Sequence, residues 1–328
     1  MRKVRLAAWI FLAFIGVIAI LPDFFSPYSP SHQYRDFPYA PPGRYHGASV
    51  HWFVHGEPYR WLGLVPASVR LFGSPEPGRL FVLGTDEFGR DAFSRLCHGA
   101  SVSLLLAPMA ALLSIALAVV FGAWAGMCRG VVDVCVTRIS EAFVVLPWFY
   151  VVVALRAALP LSLGGPTAVL IVFALLAALG CATPSRLFRG LVLSLAHREF
   201  VLAARATGAS RSRVLSRHIL PFLWPAIRTQ LLMSIPVFII TEVTLSFLGL
   251  GVADPMPTWG GMLVPLQQYV VLTSYPWMWM PAVAIVSVCL ALQIVARESG
   301  DPSSVLSTPA SWQANYAESA PIRMNGAQ

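Results

Sequence analysis

SVSLLLAPMAALLSIALAVVFGAWAGMC, residues Ser101–Cys128, runs for 28 residues without a charged side chain. A helix rises about 1.5 Å per residue, so this stretch would reach about 42 Å, more than the roughly 30 Å of hydrocarbon in a bilayer. A soluble core helix needs neither that length nor apolarity on every side, so the stretch places the chain in a membrane. Composition agrees: of 328 residues, 57% are hydrophobic and 12% charged, against roughly a quarter charged in soluble domains. Within it, Gly122 and Gly126 stand at G-x-x-x-G spacing, which lets a second helix approach closely. Ordinary small-residue packing and a dimer face are both open readings of that pair.

Working outward, Ala7–Leu21 follows the basic start MRKVR, and no A-x-A cleavage pattern succeeds it, only PDFFSPYSP, so it reads as an uncleaved anchor helix. Ile139–Leu163 makes a weaker span in which Glu141 and Arg156 bracket 14 uncharged residues. Pro166–Ser185 is charge-free, a further apolar run starts at Thr229 and carries Pro236 as a kink, and Trp277–Ala296 closes the set behind an interfacial belt of Tyr275, Trp277 and Trp279. The sum is an all-α integral membrane protein of six transmembrane helices. Residues 1–22 would form the N-terminal end and first helix, 23–98 a long extracytoplasmic segment, and 99–297 a core of five helices with a loop at 185–221. Residues 298–328, rich in Ser, Ala and Pro, would form a disordered cytoplasmic tail.

Charge fixes orientation. The formal +8 is almost wholly arginine, since Lys3 is the only lysine. Seven arginines lie in Ser185–Pro221, an even number of crossings from MRKVR, whereas Asp23–Cys97 balances seven arginines against seven acids. The positive-inside rule then puts both termini and the basic loop in the cytoplasm. Arginine placed this way is topology, and nucleic acid is not called for. Cys97, Cys128, Cys135, Cys181 and Cys289 are odd in number and scattered, which argues against a disulfide framework or a metal site.

A solute mover needs an energy source. The chain has no G-x-x-x-x-G-K-[ST] phosphate loop, no H-E-x-x-H zinc motif and no G-x-S-x-G elbow, so it reads as no enzyme, with no catalytic residue and no metal. Glu242, near the outer end of its helix, is the one ionisable group placed to serve an ion-driven carrier, and an interfacial or packing role suits it better.

REFVLAARATGASRSRVLSRHILP, Arg198–Pro221, holds the most informative constellation. Read as a helix, it presents Ala203, Ala204 and Ala206 ahead of Gly208, a residue suited to ending a helix in the left-handed conformation. Small side chains expose backbone for close contact, and neighbouring arginines suit carboxylates on a partner. A merely cytoplasmic surface helix fits those residues equally well.

The segment resembles the conserved cytoplasmic loop of ATP-binding-cassette importer permeases, E-A-A, three residues, G, then I-L-P after about ten more. Ala203, Ala204, Gly208, Ile219, Leu220 and Pro221 match, while Leu202 stands where the family has its glutamate. LGTDEFGRDAFSRLCHGASVSL, Leu83–Leu104, is similar to the signature of the C-type permease of dipeptide and oligopeptide importers, through Gly84, Thr85, Asp86, Gly89, Arg90, Asp91, Ser94, Arg95, Gly99, Ser103 and Leu104. Thr85 or Asp86 is expected to cap a helix start, with the charges pairing locally. EVTLSFLGLGVADPMPTWGGML, Glu242–Leu263, resembles the family's outer-loop pattern through Glu242, Ser246, Gly249, Gly251, Trp259 and Gly260.

The resemblance implies a type I importer fold in a bacterial inner membrane. It implies as partners a homologous second permease, an extracytoplasmic substrate-binding protein and two ATPase subunits, which would hold ATP and Mg. They would dock on Glu199, Ala203, Ala204, Arg205, Gly208, Ala209 and Arg213. The rival reading is a stand-alone secondary carrier or membrane receptor. Two departures stand out: only Gly300 and Asp301 echo the family's C-terminal pattern, and Val50–Leu64, VHWFVHGEPYRWLGL, is an aromatic-rich insert that reads as folding back on the membrane rather than touching a binding protein.

Overall fold

A computed structural model describes residues 2–61, 65–128, 130–145, 150–151, 153–154, 166–249, 251, 254 and 256–299. The principal helices are α1 (Arg2–Ile20), α2 (Ala92–Cys128), α3 (Val131–Val145), α4 (Pro166–Gly180), α5 (Ala182–Leu195), α6 (Glu199–Ala206), α7 (Leu220–Phe247) and α8 (Met280–Ser299). Among the described residues, four helical runs are long and apolar enough to cross a membrane: Lys3–Ile20, Ala92–Cys128, Arg211–Phe247 and Pro276–Ala296. The expected third span falls largely on residues outside those described, and α3 and α4, at 15 residues each, are shorter than the roughly 20 a crossing needs. The tail expectation, with Gly300 and Asp301, also lies outside the described residues.

The protein is mostly helical but not all-α. Between α1 and α2, β1 (Gly43–Tyr45) pairs antiparallel with β4 (Arg79–Phe81), and β2 (His51–Trp61) pairs antiparallel with β3 (Val65–Gly73). Phe81, fully buried, gathers the rings of Tyr28, Tyr34, Phe37 and Tyr45 at centroid distances of 5.5–6.0 Å. This aromatic cluster gives a proline-rich segment a core of its own. No strand alternation announced β2, because Gly56 and Pro58 interrupt it and the register shifts between His55 and Tyr59.

In α2 the buried side chains are nearly all small: Gly99, Ala100, Ser103, Ala107, Ala110, Ala111, Ser114, Ala118, Gly122 and Gly126 recur every three or four residues. That stripe lets neighbours approach to backbone contact, the dominant packing device where lipid removes the hydrophobic drive between helices. Gly122 and Gly126 serve the chain's own α5: a Cβ on Gly122 would come within 2.5 Å of the Ser185 carbonyl oxygen, and one on Gly126 within 2.8 Å of Val192 Cγ1. The pair is therefore occupied by intramolecular packing. The main core joins α1, α2, α4, α7 and α8 through residues such as Ala19, Ala107, Phe173, Phe238, Trp259 and Val288.

The run expected as a loop at 185–221 is helical through most of its length. α5 carries the fourth apolar segment on to Leu195, and Pro184 sits in its first turn, where no intrahelical N–H is required. A short helix, Arg211–Val214, widens into a π-turn at Leu215–Ile219 and leads straight into α7. Pro221 has no N–H to donate, and the turn ahead of it closes five residues back, from Leu220 N–H to the Leu215 carbonyl.

Candidate functional site

Two constellations emerge, one at each end of α2. The first is a knot around Gly84–Arg95. Asp86 Oδ1 accepts from the backbone N–H groups of Phe88 and Arg90, both at 2.9 Å, while its Oδ2 accepts from Arg90 Nε at 2.7 Å and faces Arg95 Nε at 3.5 Å. Both arginines are buried, so their charges need close partners. Asp254 Oδ1 supplies one, lying 3.2 Å from Arg90 Nη1 and 3.2 Å from Arg95 Nη2. A cavity of about 240 Å³ lies against this cluster, bounded by Asp86, Arg90, Arg95, Ser246, Asp254 and Met278.

The helix cap differs from the expectation. Thr85 does not cap α2; its Oγ1 donates to the Phe37 carbonyl at 2.5 Å and accepts from Ala40 N–H at 2.8 Å, stitching the signature to the segment before it. Nor does Asp86, which is consumed by the arginines. Asp91, directly before Ala92, is the cap: its Oδ2 accepts from Ser94 N–H at 2.8 Å and from Ser94 Oγ–H at 2.6 Å. Burial pushes the Asp91 carboxyl up to about 6, against the pull of those Ser94 donors. Gly84 and Gly89 have φ near +70°, and a Cβ on Gly89 would collide with the Tyr34 carbonyl oxygen. Only glycine fits there.

The outer-loop signature closes on the same region. Glu242 is buried and accepts from Ser246 Oγ at 2.7 Å and from Ser103 Oγ at 3.3 Å. Trp259, also buried, donates its indole N–H to the Leu96 carbonyl at 3.0 Å. Gly99 admits that ring, since a Cβ there would sit 2.9 Å from Trp259 Cδ1; a Cβ on Gly260 would sit 2.7 Å from Val243 Cα and Ser246 Cβ of α7, and one on Gly251 would collide with the Ser246 side chain. Gly249, with φ +74° and open space around it, ends α7 instead. The two signatures, read separately in sequence, thus form one joint between α2 and α7.

The second constellation is α6 together with the turn and short helix behind it. Gly208 has φ +84°; its N–H donates to the Arg205 carbonyl at 3.0 Å and Ala209 N–H donates to the Ala204 carbonyl at 3.1 Å. That pair of bonds is a Schellman cap, and Ser210 starts the next helix by accepting from Arg213 N–H at 3.4 Å. Val201, Val214, Ile219 and Leu223 turn inward onto Val192 and Ala123, fixing α6 to the body. Glu199, Leu202, Ala203, Arg205, Ala206 and Gly208 are left exposed. Among the described residues, no ion pair engages Arg198, Arg205, Arg211 or Arg213.

Residues 118–297, which include the whole of this second constellation, match the family described as binding-protein-dependent transport system inner membrane component. The chain belongs to that family. Relatives extend the likeness beyond the matched core. The dipeptide transport system permease protein DppC of Bacillus subtilis is 33% identical over 261 residues, 80% of this chain and 69% of that one. The oligopeptide transport system permease protein OppC of the same organism is 33% identical over 233 residues, covering 69% and 73%. The di/tripeptide transport system permease protein DppC of Pseudomonas aeruginosa is 30% identical over 308 residues, covering 92% and 88%. The chain is therefore an ATP-binding-cassette transporter permease, and the relatives it matches are permease components.

Sequence reasoning missed two ion-pair contacts. Asp254 carried no signal, being one acid in a proline-rich turn. Asp133 and Arg189 were likewise not singled out as a pair: Arg189 grips the carboxylate with Nε and Nη2, tying α3 to α5 beside the basic loop.

Proposed function

We propose that this chain is the transmembrane permease subunit of an ATP-driven, binding-protein-dependent importer of di- or oligopeptides. The observation that carries the reading is α6, an exposed small-residue helix closed by Gly208, packed from behind and flanked by arginines that no ion pair engages among the described residues. A helix so built can seat in a cleft and pass a rigid-body push to α2, α5 and α7, onto which its inner face is packed. Two ATPase subunits, carrying ATP and Mg, would supply the push; a homologous second permease would complete the path and an extracytoplasmic binding protein would deliver substrate. The relatives' peptide transport supports the substrate class.

In this reading the protein crosses the inner membrane six times with both termini cytoplasmic. Residues 23–98 lie outside, 99–297 form the permease core, and 298–328 form a cytoplasmic tail. The coupling residues are Glu199, Ala203, Ala204, Arg205, Gly208, Ala209 and Arg213, with Leu202 standing where the resembled family pattern has its glutamate. The path wall includes a cavity of about 440 Å³ beside Gln230, Ser234 and Thr241 of α7. Glu242, spent on Ser103 and Ser246, serves as a packing group.

The test is uptake of labelled di- and tripeptides into vesicles holding this chain, its second permease and the ATPases, with binding protein added outside. Uptake should require ATP and binding protein together. Uptake driven by a proton gradient without ATPases would instead support a secondary carrier.

A further inference from the structure

We propose that Trp61, the last residue of β2, is seated in the lipid interface as an aromatic anchor, with its strand partner Val65 beside it. The partner of this surface is the headgroup and upper acyl region of the bilayer, not a protein. The inference requires only that α1 and α2 cross the membrane, and stands apart from the substrate reading.

Depth is fixed by one bond. Ser101 Oγ donates to the Ala19 carbonyl at 2.6 Å, pinning the outer end of α1 to the start of the uncharged stretch of α2. A crevice of about 180 Å³ at that level is lined by Ile20, Leu21, Ser101 and Leu105 together with Tyr59 and Trp61. The end of β2 therefore stands where the apolar helix surfaces begin. Trp61 is 40% exposed and Val65, its strand partner, 50%, beside Ile20 at 44% and Leu105 at 37%. Trp61, Ile20 and Leu105 border the one crevice, so with α1 and α2 crossing the membrane the exposed ring of Trp61 stands beside side chains that meet lipid.

The other end of the strand pair points away. Trp52 packs on Phe72 and Phe72 on Phe93, which lies eight residues before Ser101, or about 12 Å further out along α2. The Trp52 end of the strand pair thus lies further out than its Trp61 end, and between them Glu57 meets His32 at 3.4 Å. Tyr59 spends its hydroxyl on the Val69 carbonyl at 2.8 Å, leaving its ring for packing. Among the described residues the Trp61 indole N–H has no hydrogen-bond partner, the arrangement a tryptophan adopts when its ring meets hydrocarbon and its N–H meets headgroup oxygen.

Nitroxide labels on Trp61→Cys, Trp52→Cys and Leu105→Cys, with the native cysteines replaced and the assembled transporter in phospholipid nanodiscs, read this depth by collision with oxygen and with a water-soluble nickel chelate. The oxygen-to-nickel ratio at position 61 should match that at 105 and exceed that at 52 by about threefold or more. A label at 61 as open to nickel as the one at 52 overturns the proposal. So does protection that appears only when binding protein is added, which would make this end of β2 a protein-docking surface. Val65→Cys provides the same reading should the tryptophan be needed for folding.

Discussion

Arg90 and Asp254 are 164 residues apart in the chain and meet at 3.2 Å, and Arg95 reaches the same carboxylate oxygen. The Arg90 and Arg95 side chains are 7% and 6% exposed, whereas the Asp254 side chain is 58% exposed. The bond matters less for its own Coulomb energy than for what its loss leaves behind, two like charges whose remaining ion-pair partner among the described residues is Asp86. Asp254→Asn should lower the thermal midpoint of the purified transporter, corresponding to about 1–3 kcal/mol. Hydrogen exchange at 256–263 should quicken in the variant, and an unchanged midpoint would show the clamp to be ornamental.

Gly122 and Gly190 form a matched pair for testing helix approach. A methyl group at Gly122 meets the Ser185 carbonyl oxygen and the Arg189 amide, both backbone, while one at Gly190 meets nothing within 4 Å. Gly122→Ala should cost about 1–3 kcal/mol through forced separation of α2 and α5. Gly190→Ala should be neutral or stabilising by about 1 kcal/mol, through helix propensity. Thermal unfolding of both variants, followed by fluorescence in detergent, decides between them.

At Gly208 the constraint is conformational, since the position is open but its φ is +84°. Alanine there should cost about 1–2 kcal/mol locally, and asparagine markedly less. ATPase capture should therefore fall with Gly208→Ala and recover largely with Gly208→Asn. Equal loss with both would mean that the bare glycine surface, not the turn, is what the partner reads.

Asp91 gives a pH dependence with a definite sign. Its folded pKa, raised to about 6 by burial, lies above the ordinary carboxylate value, so the folded protein holds the proton more tightly. Stability should rise as pH falls from about 6 toward 4 and be lost as pH climbs back through 6. Asp91→Asn keeps a capping oxygen and cannot titrate, so its midpoint should vary less over that window, by up to about 3 kcal/mol. A wild-type midpoint that drops between pH 6 and 5, relative to the variant, would reverse the assignment.

Much of the architecture was legible because a membrane imposes simple rules. Ser101–Cys128 had to be helical and buried in lipid once no charge interrupted it, and Gly208 announced a helix end through its freedom at positive φ. What escaped was non-local or aperiodic. Asp254 meets Arg90 only because α7 returns to α2, and no spacing rule relates positions 164 apart. The strands of the segment after α1 are held by rings around Phe81 rather than by an alternating face, so composition suggested only irregularity. The expected cap at Thr85 or Asp86 failed because α2 starts at Ala92, which hands the role to Asp91.

The central claim, that α6 is where ATPase subunits act, is tested most directly by a photoreactive benzophenone side chain at Ala203, exposed on α6, against one at Ala196, buried four residues before Phe200. Irradiated in native membranes, position 203 should yield a cross-linked species containing an ATP-binding subunit, and position 196 should not. No capture at 203, in membranes where the four-part transporter is assembled and active, would contradict the account.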